Sequence, residues 1–119
     1  MDGCHEGDGD GHIGGEFAGL ASFHIAAHEC DNGDEGGDVE VKDDGAGVDF
    51  HSTQILSVAY DAVAQTMTVV GEGLDHGTPV TFTAVETDGL APALKAFGFE
   101  ESDGYSNAGN LVDGNITIN

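Results

Sequence analysis

Three histidines close to acidic side chains are the residues best suited to chemistry in this sequence. His24 and His28 lie in one strand-like segment, and His51 lies in another. Imidazole nitrogens bind Zn²⁺ and other divalent transition metals, and a metal with three protein ligands keeps a position open for an activated water. The pattern predicts a small metal-dependent hydrolase in which these histidines hold the metal and Glu29 or Asp49 is the catalytic base.

This metal site depends on how the strands pair. Four residues of a straight strand span about 13 Å, which is too far for His24 and His28 to bind one ion together. If the intervening turns are tight, His28, Val39 and His51 lie roughly in a row, with the two outer backbones about 9.5 Å apart. A slip of one residue would turn a histidine to the opposite face. The competing interpretation is that the imidazoles face solvent on a polar sheet surface.

A second candidate site consists of carboxylates. Asp31, Asp34, Glu35 and Asp38 are interspersed with glycines in one predicted turn. Calcium takes about six to eight oxygen ligands from such loops. The EF-hand pattern is not met, because the twelfth position counted from Asp31 is Lys42, where that loop needs a glutamate. The four residues are therefore predicted calcium ligands, with a solvated acidic surface as the alternative.

The charge balance limits the possible partners. The chain has 23 Asp and Glu against two Lys and Arg, for a formal net charge of −21 at pH 7. Such a surface repels phosphates and anionic lipid, so nucleic acid is excluded as a partner and inorganic cations are favoured. The charge also repels itself, and salt shortens the Debye length from about 10 Å at 0.1 M to about 3 Å at 1 M. The composition is typical of halophilic proteins, and a dedicated calcium-loaded protein is the alternative.

Length, apolar runs and cysteines set further bounds. A chain of 119 residues forms one domain by length. Because no apolar run approaches the roughly 20 residues that span a bilayer, we expect no membrane insertion. Met1-Asp2-Gly3 is not the cationic start of a signal peptide, so we expect any leader to have been removed. Cys4 and Cys30 either form a disulfide or remain free thiols.

The strongest structural signal lies at 65–88. Apolar and β-branched residues alternate with polar ones on both sides of Asp75-His76-Gly77, which predicts two strands of about ten residues joined by a tight turn. The segment 48–60 needs a bend, because its apolar positions switch parity between Phe50 and Ile55. Further strands are predicted at 21–29 (with a helix as the alternative), 38–42, 96–100, 105–111 and 115–119, with a turn at 112–114.

These strands predict an all-β fold. Short strands joined by local hairpins close most simply into a single small antiparallel β-barrel, an up-and-down meander of about eight strands, and a two-sheet sandwich is the alternative. Residues 1–15 are acidic and rich in glycine and histidine, so we expect a flexible arm there and the barrel at 16–119. A barrel of this size is either filled by side chains or holds one small molecule, which leaves a small-molecule or cell-surface ligand open.

Several segments resemble a known family. They are ASFHI and GGDVEV in the first half and, in the second, FHSTQI (50–55), GEGLDHGTPVTFTAVETD (71–88), DGY (103–105) and LVDGNITIN (111–119). Over about 100 residues the chain resembles small secreted bacterial and archaeal β-domains, called post-COAP-1-like, that occur alone or appended to larger surface proteins. It departs from them at 89–95, which replaces an acidic Gly-Pro-rich loop, and at Asn119, where a histidine is expected.

The resemblance implies a β-domain that is exported from the cell, and the family has no assigned chemistry. We therefore expect a secreted, highly acidic β-barrel module with a binding or structural role and bound metal as an option. The small metal-dependent hydrolase is the alternative function.

Overall fold

The fold is a closed antiparallel sheet of eight strands. The computed structural model describes residues 3–15, 19–89 and 95–119. The strands are β1 (Cys4–Gly15), β2 (Gly19–Cys30), β3 (Glu35–Asp43), β4 (Val48–Asp61), β5 (Thr66–Asp75), β6 (Thr78–Thr87), β7 (Ala96–Glu101) and β8 (Ser106–Ile118). Each pairs with its neighbours in sequence, and β1 also pairs with β8. The predicted up-and-down barrel is confirmed, and the sandwich alternative is wrong.

The two-residue period of the strands decides which side chains fill the interior. On β2, Phe23, Ile25 and Ala27 are buried, and on β6 Val80 and Phe82 are buried, while the residues between them face outward or lie at the surface. The predicted inward faces of both strands are therefore confirmed, and the helix alternative for 21–29 is wrong. No described residue is helical, so this part of the chain contains no apolar helix of membrane-spanning length.

Aromatic side chains fill the middle of the barrel. The rings of Phe50 and Phe82 lie 4.9 Å apart and those of Phe50 and Phe99 4.8 Å apart, while Phe23 stacks on Phe97 at 4.1 Å. Phe50, Phe82 and Phe97 are each no more than 2% exposed. This is the filled type of small barrel, in which a ligand inside the wall would have to displace core side chains.

The hairpin between β5 and β6 has the predicted tight turn. Asp75 pairs with Thr78, so His76 and Gly77 are the two turn residues. Both have positive φ, 48° at His76 and 80° at Gly77. Two such residues match the right-handed twist of the flanking strands, which is why this turn type joins hairpins. The turn fixes Asp75 at one end of the barrel.

Strand β4 contains the predicted irregularity, which occurs twice. Its register against β5 shifts between Ser52 and Gln54 and again between Ile55 and Ser57. Each shift inserts an unpaired residue, bends the strand and reverses which residues face inward. This explains the switch in apolar parity along 48–60.

The expectation of a flexible arm at 1–15 is wrong for the part that the structure describes. Cys4–Gly15 is strand β1, bonded to β2 on one side and to β8 on the other. Its glycines provide close packing: a Cβ on Gly7 would lie 2.6 Å from a carboxylate oxygen of Glu86, and one on Gly9 would lie 2.7 Å from Ile116. A disulfide joins Cys4 to Cys30. The segment has few apolar residues because glycines are needed where β1 packs closely against the interior. Ile13 is the side chain that β1 adds to the hydrophobic core.

The predicted turn at 112–114 is also wrong. Strand β8 runs without interruption from Ser106 to Ile118, and its pairing with β1 shifts so that Val112 is left out of the register. Gly114 has a positive φ of 92°, a conformation that glycine also adopts in turns. Pairing with β1 absorbs the extra residue as a bulge, so the strand continues.

Candidate functional site

The predicted row of histidines has a different register from the one expected. His24 pairs with Glu40, and Glu40 pairs with His51, whereas His28 pairs with Gly36. The prediction that His28 shares a row with Val39 and His51 is therefore wrong. Strand β3 begins at Glu35, earlier than predicted, and this shifts every pair along β2.

The actual row lies on the outer wall. His24, Glu40 and His51 are exposed, and together with Lys42 and Asp49 they line a surface depression of about 350 Å³. His24 and His51 are two strand spacings apart, about 9.5 Å at the backbone. Within the described residues their side chains do not gather with a third ligand into a compact metal-binding group.

His28 lies near the end of β2, next to the turn that leads into β3. Its Nε2 lies 3.2 Å from an oxygen of Asp34, and its ring covers Gly36. The half-buried imidazole is thus held beside a predicted calcium ligand and away from the other two histidines. The structure therefore separates the three predicted transition-metal ligands into two locations.

The predicted calcium ligands have separate local partners. Asp31 accepts a hydrogen bond from the backbone N–H of Gly3, and Glu35 accepts one from the N–H of Val58. Asp34 contacts His28, as described above, and Asp38 is exposed on β3. Among the described residues these four carboxylates do not converge on a common point.

The two predicted catalytic bases lie on different strands, Glu29 on β2 and Asp49 on β4. Beyond Glu40 and His51 the ladder between β3 and β4 stops, and a carboxylate of Glu29 accepts a hydrogen bond from the N–H of Tyr60 at 2.9 Å. Glu29 thus replaces a missing ladder bond. Asp49 is exposed. Its backbone N–H donates to the carboxylate of Asp75, and its backbone carbonyl accepts from the N–H of His76.

The structure brings together a set of carboxylates that the sequence analysis did not select. Asp75 ends β5, Glu101 ends β7, and Asp103 lies in the turn between β7 and β8. One oxygen from each lies within 4.8 Å of the other two, the only such group of three metal-binding residues within 3–15, 19–89 and 95–119. We call these three residues the carboxylate cluster and this end of the barrel the acidic end.

Two members of the cluster are positioned by backbone donors. Asp75 accepts a hydrogen bond from the N–H of Asp49 at 3.0 Å, and Asp103 accepts one from the N–H of Tyr105 at 3.1 Å. Glu101 differs, because it is only 6% exposed and no N–H or hydroxyl donor among the described residues reaches either carboxylate oxygen, whose polar neighbours are the carboxylates of Asp75 and Asp103. Burial, and then Asp75 and Asp103, raise the pKa of Glu101 to about 8.

A neighbouring buried carboxylate shows how the protein satisfies such a group with its own donors. Asp43 is fully buried at the acidic end and accepts hydrogen bonds from the hydroxyl of Tyr105 at 2.8 Å, the amide of Asn107 at 3.4 Å and the N–H of Ala46 at 3.2 Å. Burial and the bond to Asp43 raise the pKa of the Tyr105 hydroxyl. Glu101 lacks donors of this kind among the described residues.

A second buried carboxylate without partners lies at the opposite end, which we call the disulfide end because Cys4 and Cys30 meet there. Glu86 is fully buried, and both of its oxygens lack a hydrogen-bond partner among the described residues. Burial raises its pKa to about 8, and the charges of Asp8 and Asp88 add to the shift. The nearby lysine, Lys95, is already bonded to Asp88.

The alternation of inward and outward residues along a strand predicts that Glu86 and Glu101 point inward. Glu86 continues the inward row of Phe82 and Ala84, and Glu101 continues the inward row of Phe97 and Phe99. Counting by twos along a confidently assigned strand places both carboxylates inside the wall. No such pattern predicts the position of Asp103, because that position depends on the fold of the turn.

Comparisons with protein-family models, with curated proteins and with solved structures found no match to this chain. The resemblance to post-COAP-1-like domains therefore stays a prediction. Function has to be argued from the geometry of the barrel and its charged groups.

The buried carboxyl of Glu86 generates a pH prediction. Its ordinary pKa of 4.5 rises to about 8 in the folded protein, so between these values the folded state keeps a proton that the unfolded chain releases. The free energy of unfolding therefore falls as pH rises through this window, by at most about 1.4 kcal/mol per pH unit for this one proton. Denaturant unfolding at several pH values will give a shallower slope for Glu86→Gln than for the unchanged protein.

The matched control for this test is Glu100→Gln, which removes an exposed carboxylate. It leaves the slope close to that of the unchanged protein. Equal slopes for Glu86→Gln and the unchanged protein would contradict the assigned protonation.

Proposed function

We propose that this chain is a non-catalytic, highly acidic β-barrel module that works outside the cell in a salt-rich medium, in a binding or structural role. The observation that carries this proposal is a net charge of −21 on a barrel whose interior is filled with apolar side chains. Carboxylates therefore dominate the wall and the ends of the barrel. The surface that meets the surroundings is suited to attract cations and to repel polyanions.

The disulfide between Cys4 and Cys30 supports the extracellular location. Disulfides persist in oxidising compartments and are rare in reducing ones. The bond joins the start of β1 to the end of β2, so it also secures a strand that supplies one side chain, Ile13, to the hydrophobic core. This agrees with the export implied by the resemblance.

The filled interior directs binding to the outside. Phe50, Phe82 and Phe99 occupy the space that a ligand-binding barrel leaves free. A small-molecule or cell-surface ligand would then meet the outer wall, where the depression beside His24 and His51 is lined by polar and charged side chains. Inorganic cations are the partners that the charge favours most.

The proposal predicts strong stabilisation by salt. Because exposed carboxylates repel one another over the Debye length, the melting temperature will rise by at least about 5 °C between about 0.1 M and about 3 M KCl. The measurement is thermal unfolding followed by circular dichroism, with EDTA present so that divalent cations do not contribute.

A charge-reduced variant is the control. Replacing exposed Asp38 and Asp44 by Asn, and exposed Glu72 and Glu100 by Gln, removes four charges without touching the core. This variant will melt higher at low salt and respond less to KCl. The proposal fails if the unchanged protein melts at the same temperature across the range.

A small metal-dependent hydrolase is the second candidate function. One observation favours it: His24 and His51 flank Glu40 on the exposed wall, beside Asp49. Such a row supplies nitrogen and carboxylate ligands of the kind that Zn²⁺ uses. The distance between the two histidine backbones and the separate position of His28 speak against it.

Metal analysis separates the two functions. Since the histidine side chains do not converge, we expect no transition metal to remain bound after incubation with Zn²⁺ and dialysis. A hydrolase would keep one Zn²⁺ per chain, lost in His51→Ala and retained in the control His76→Ala, whose imidazole lies in the hairpin turn. That pattern, measured by elemental analysis, would replace the first proposal with the second.

A further inference from the structure

We propose that Asp75, Glu101 and Asp103 form a site for one hard divalent cation, and that Ca²⁺ is the ion that fits it best. This goes beyond the proposed function, because diffuse screening by salt requires no discrete site. The inference depends on geometry at the acidic end and on one buried carboxylate, Glu101, to which the described residues supply no hydrogen-bond donor.

The spacing of the oxygens suits a shared ion. Calcium binds oxygens at about 2.3–2.6 Å, so two ligands of one ion lie at most about 5 Å apart. One oxygen from each cluster member falls within 4.8 Å of the other two. When all three carboxylates are ionised they repel one another at this distance, and an ion of opposite charge between them offsets that repulsion.

Glu101 supplies the independent evidence for a ligand. Buried carboxylates in proteins are almost always hydrogen-bonded, paired or bound to a metal. Asp43, at the same end, meets this rule with three donors from the protein. Glu101 is 94% buried, receives no hydrogen bond from an N–H or hydroxyl donor among the described residues, and faces the carboxylates of Asp75 and Asp103. A bound cation satisfies it.

The backbone around the cluster is held in place before any ion binds. The N–H of Glu101 donates to the carbonyl of Tyr105, and the N–H of Gly104 donates to the carbonyl of Glu101. Ser102 is tied to Thr81 of β6 by bonds in both directions. These contacts fix the turn between β7 and β8 beside the hairpin that carries Asp75, which is the preorganisation that a binding site needs.

Hard oxygen ligands and an open side favour calcium over transition metals. The cluster contains no nitrogen or sulfur ligand, and carboxylates select Ca²⁺, Mg²⁺ and similar ions. Calcium accepts irregular geometry and completes its shell with water, which can enter past the exposed Asp103. Magnesium requires near-octahedral geometry at shorter distances, so it will bind more weakly.

The test is calorimetric titration of the EDTA-treated, dialysed full chain with Ca²⁺ in about 1 M KCl, where diffuse attraction is screened to about 3 Å. We expect one saturable site per chain. Glu101→Gln and Asp103→Asn will each weaken binding by about tenfold or more, because each removes a ligand charge. Glu100→Gln, the neighbouring carboxylate that faces outward, will leave binding unchanged.

Loss of calcium binding in these variants can be distinguished from loss of folding. Glu101→Gln replaces a buried carboxyl that receives no hydrogen bond with an amide that can donate to Asp75 or Asp103, so this variant will melt at or above the temperature of the calcium-free protein. Asp103 is exposed, and Asn at that position keeps the oxygen that accepts from the N–H of Tyr105. Circular dichroism of both variants checks the fold.

Terbium provides a second readout of the location. Tb³⁺ replaces Ca²⁺ in oxygen sites and emits when a nearby tyrosine is excited. Tyr105 adjoins the cluster, whereas Tyr60 stacks on His5, a residue of β1 next to Cys4 at the disulfide end. Tyr105→Phe will abolish the sensitised emission, and Tyr60→Phe will retain it.

Equal calcium affinity in Glu101→Gln and the unchanged protein, or no saturable site in the unchanged protein, would overturn the inference. Stabilisation by KCl with EDTA present would survive either result, so failure of this site is distinguishable from failure of the proposed function.

Discussion

The pairing of β1 with β8 is the interaction on which the rest of the structure depends. It closes the sheet, removes the two edges that β1 and β8 would otherwise expose, and gives the barrel an inside. Closure requires that β1 approach the interior closely, and Gly7 and Gly9 allow this because a side chain at either position would collide with Glu86 or Ile116. The strand contributes backbone bonds more than core volume.

Once the wall is closed, side-chain parity carries Asp43, Asp75, Glu86 and Glu101 inward, and these buried carboxylates are accommodated in different ways. Asp43 is satisfied by donors from Tyr105, Asn107 and Ala46. Glu86 remains protonated in its apolar surroundings up to a pH near 8. For Glu101 we propose a cation shared with two neighbours. The same repulsion between carboxylates that makes the outer surface dependent on salt thus acts at short range inside the barrel.

The sequence predicts the parts of the fold that local patterns determine. Alternation identified the β5–β6 hairpin and the inward face of β2, and a parity switch located the irregular region of β4. Strand β1 was missed because its stability comes from hydrogen bonds to distant residues, which composition does not reveal. The pairing of His24 with Glu40 was missed because register depends on where β3 begins.

The same distinction between local patterns and long-range contacts applies to the candidate site. The inward positions of Asp75 and Glu101 follow from parity along strands that the sequence identifies, so this part was accessible. Their approach to one another and to Asp103 depends on the closed barrel bringing two turns to one end. No local pattern contains that information, because the turns lie far apart in sequence.

Hydrogen–deuterium exchange of the backbone amides tests barrel closure most directly. We expect the amides of β1 that face β2 and β8 to exchange slowly, with protection comparable to that of β2 and β8. Exchange of the β1 amides at the rate of an unfolded chain, while the other strands stay protected, would contradict closure.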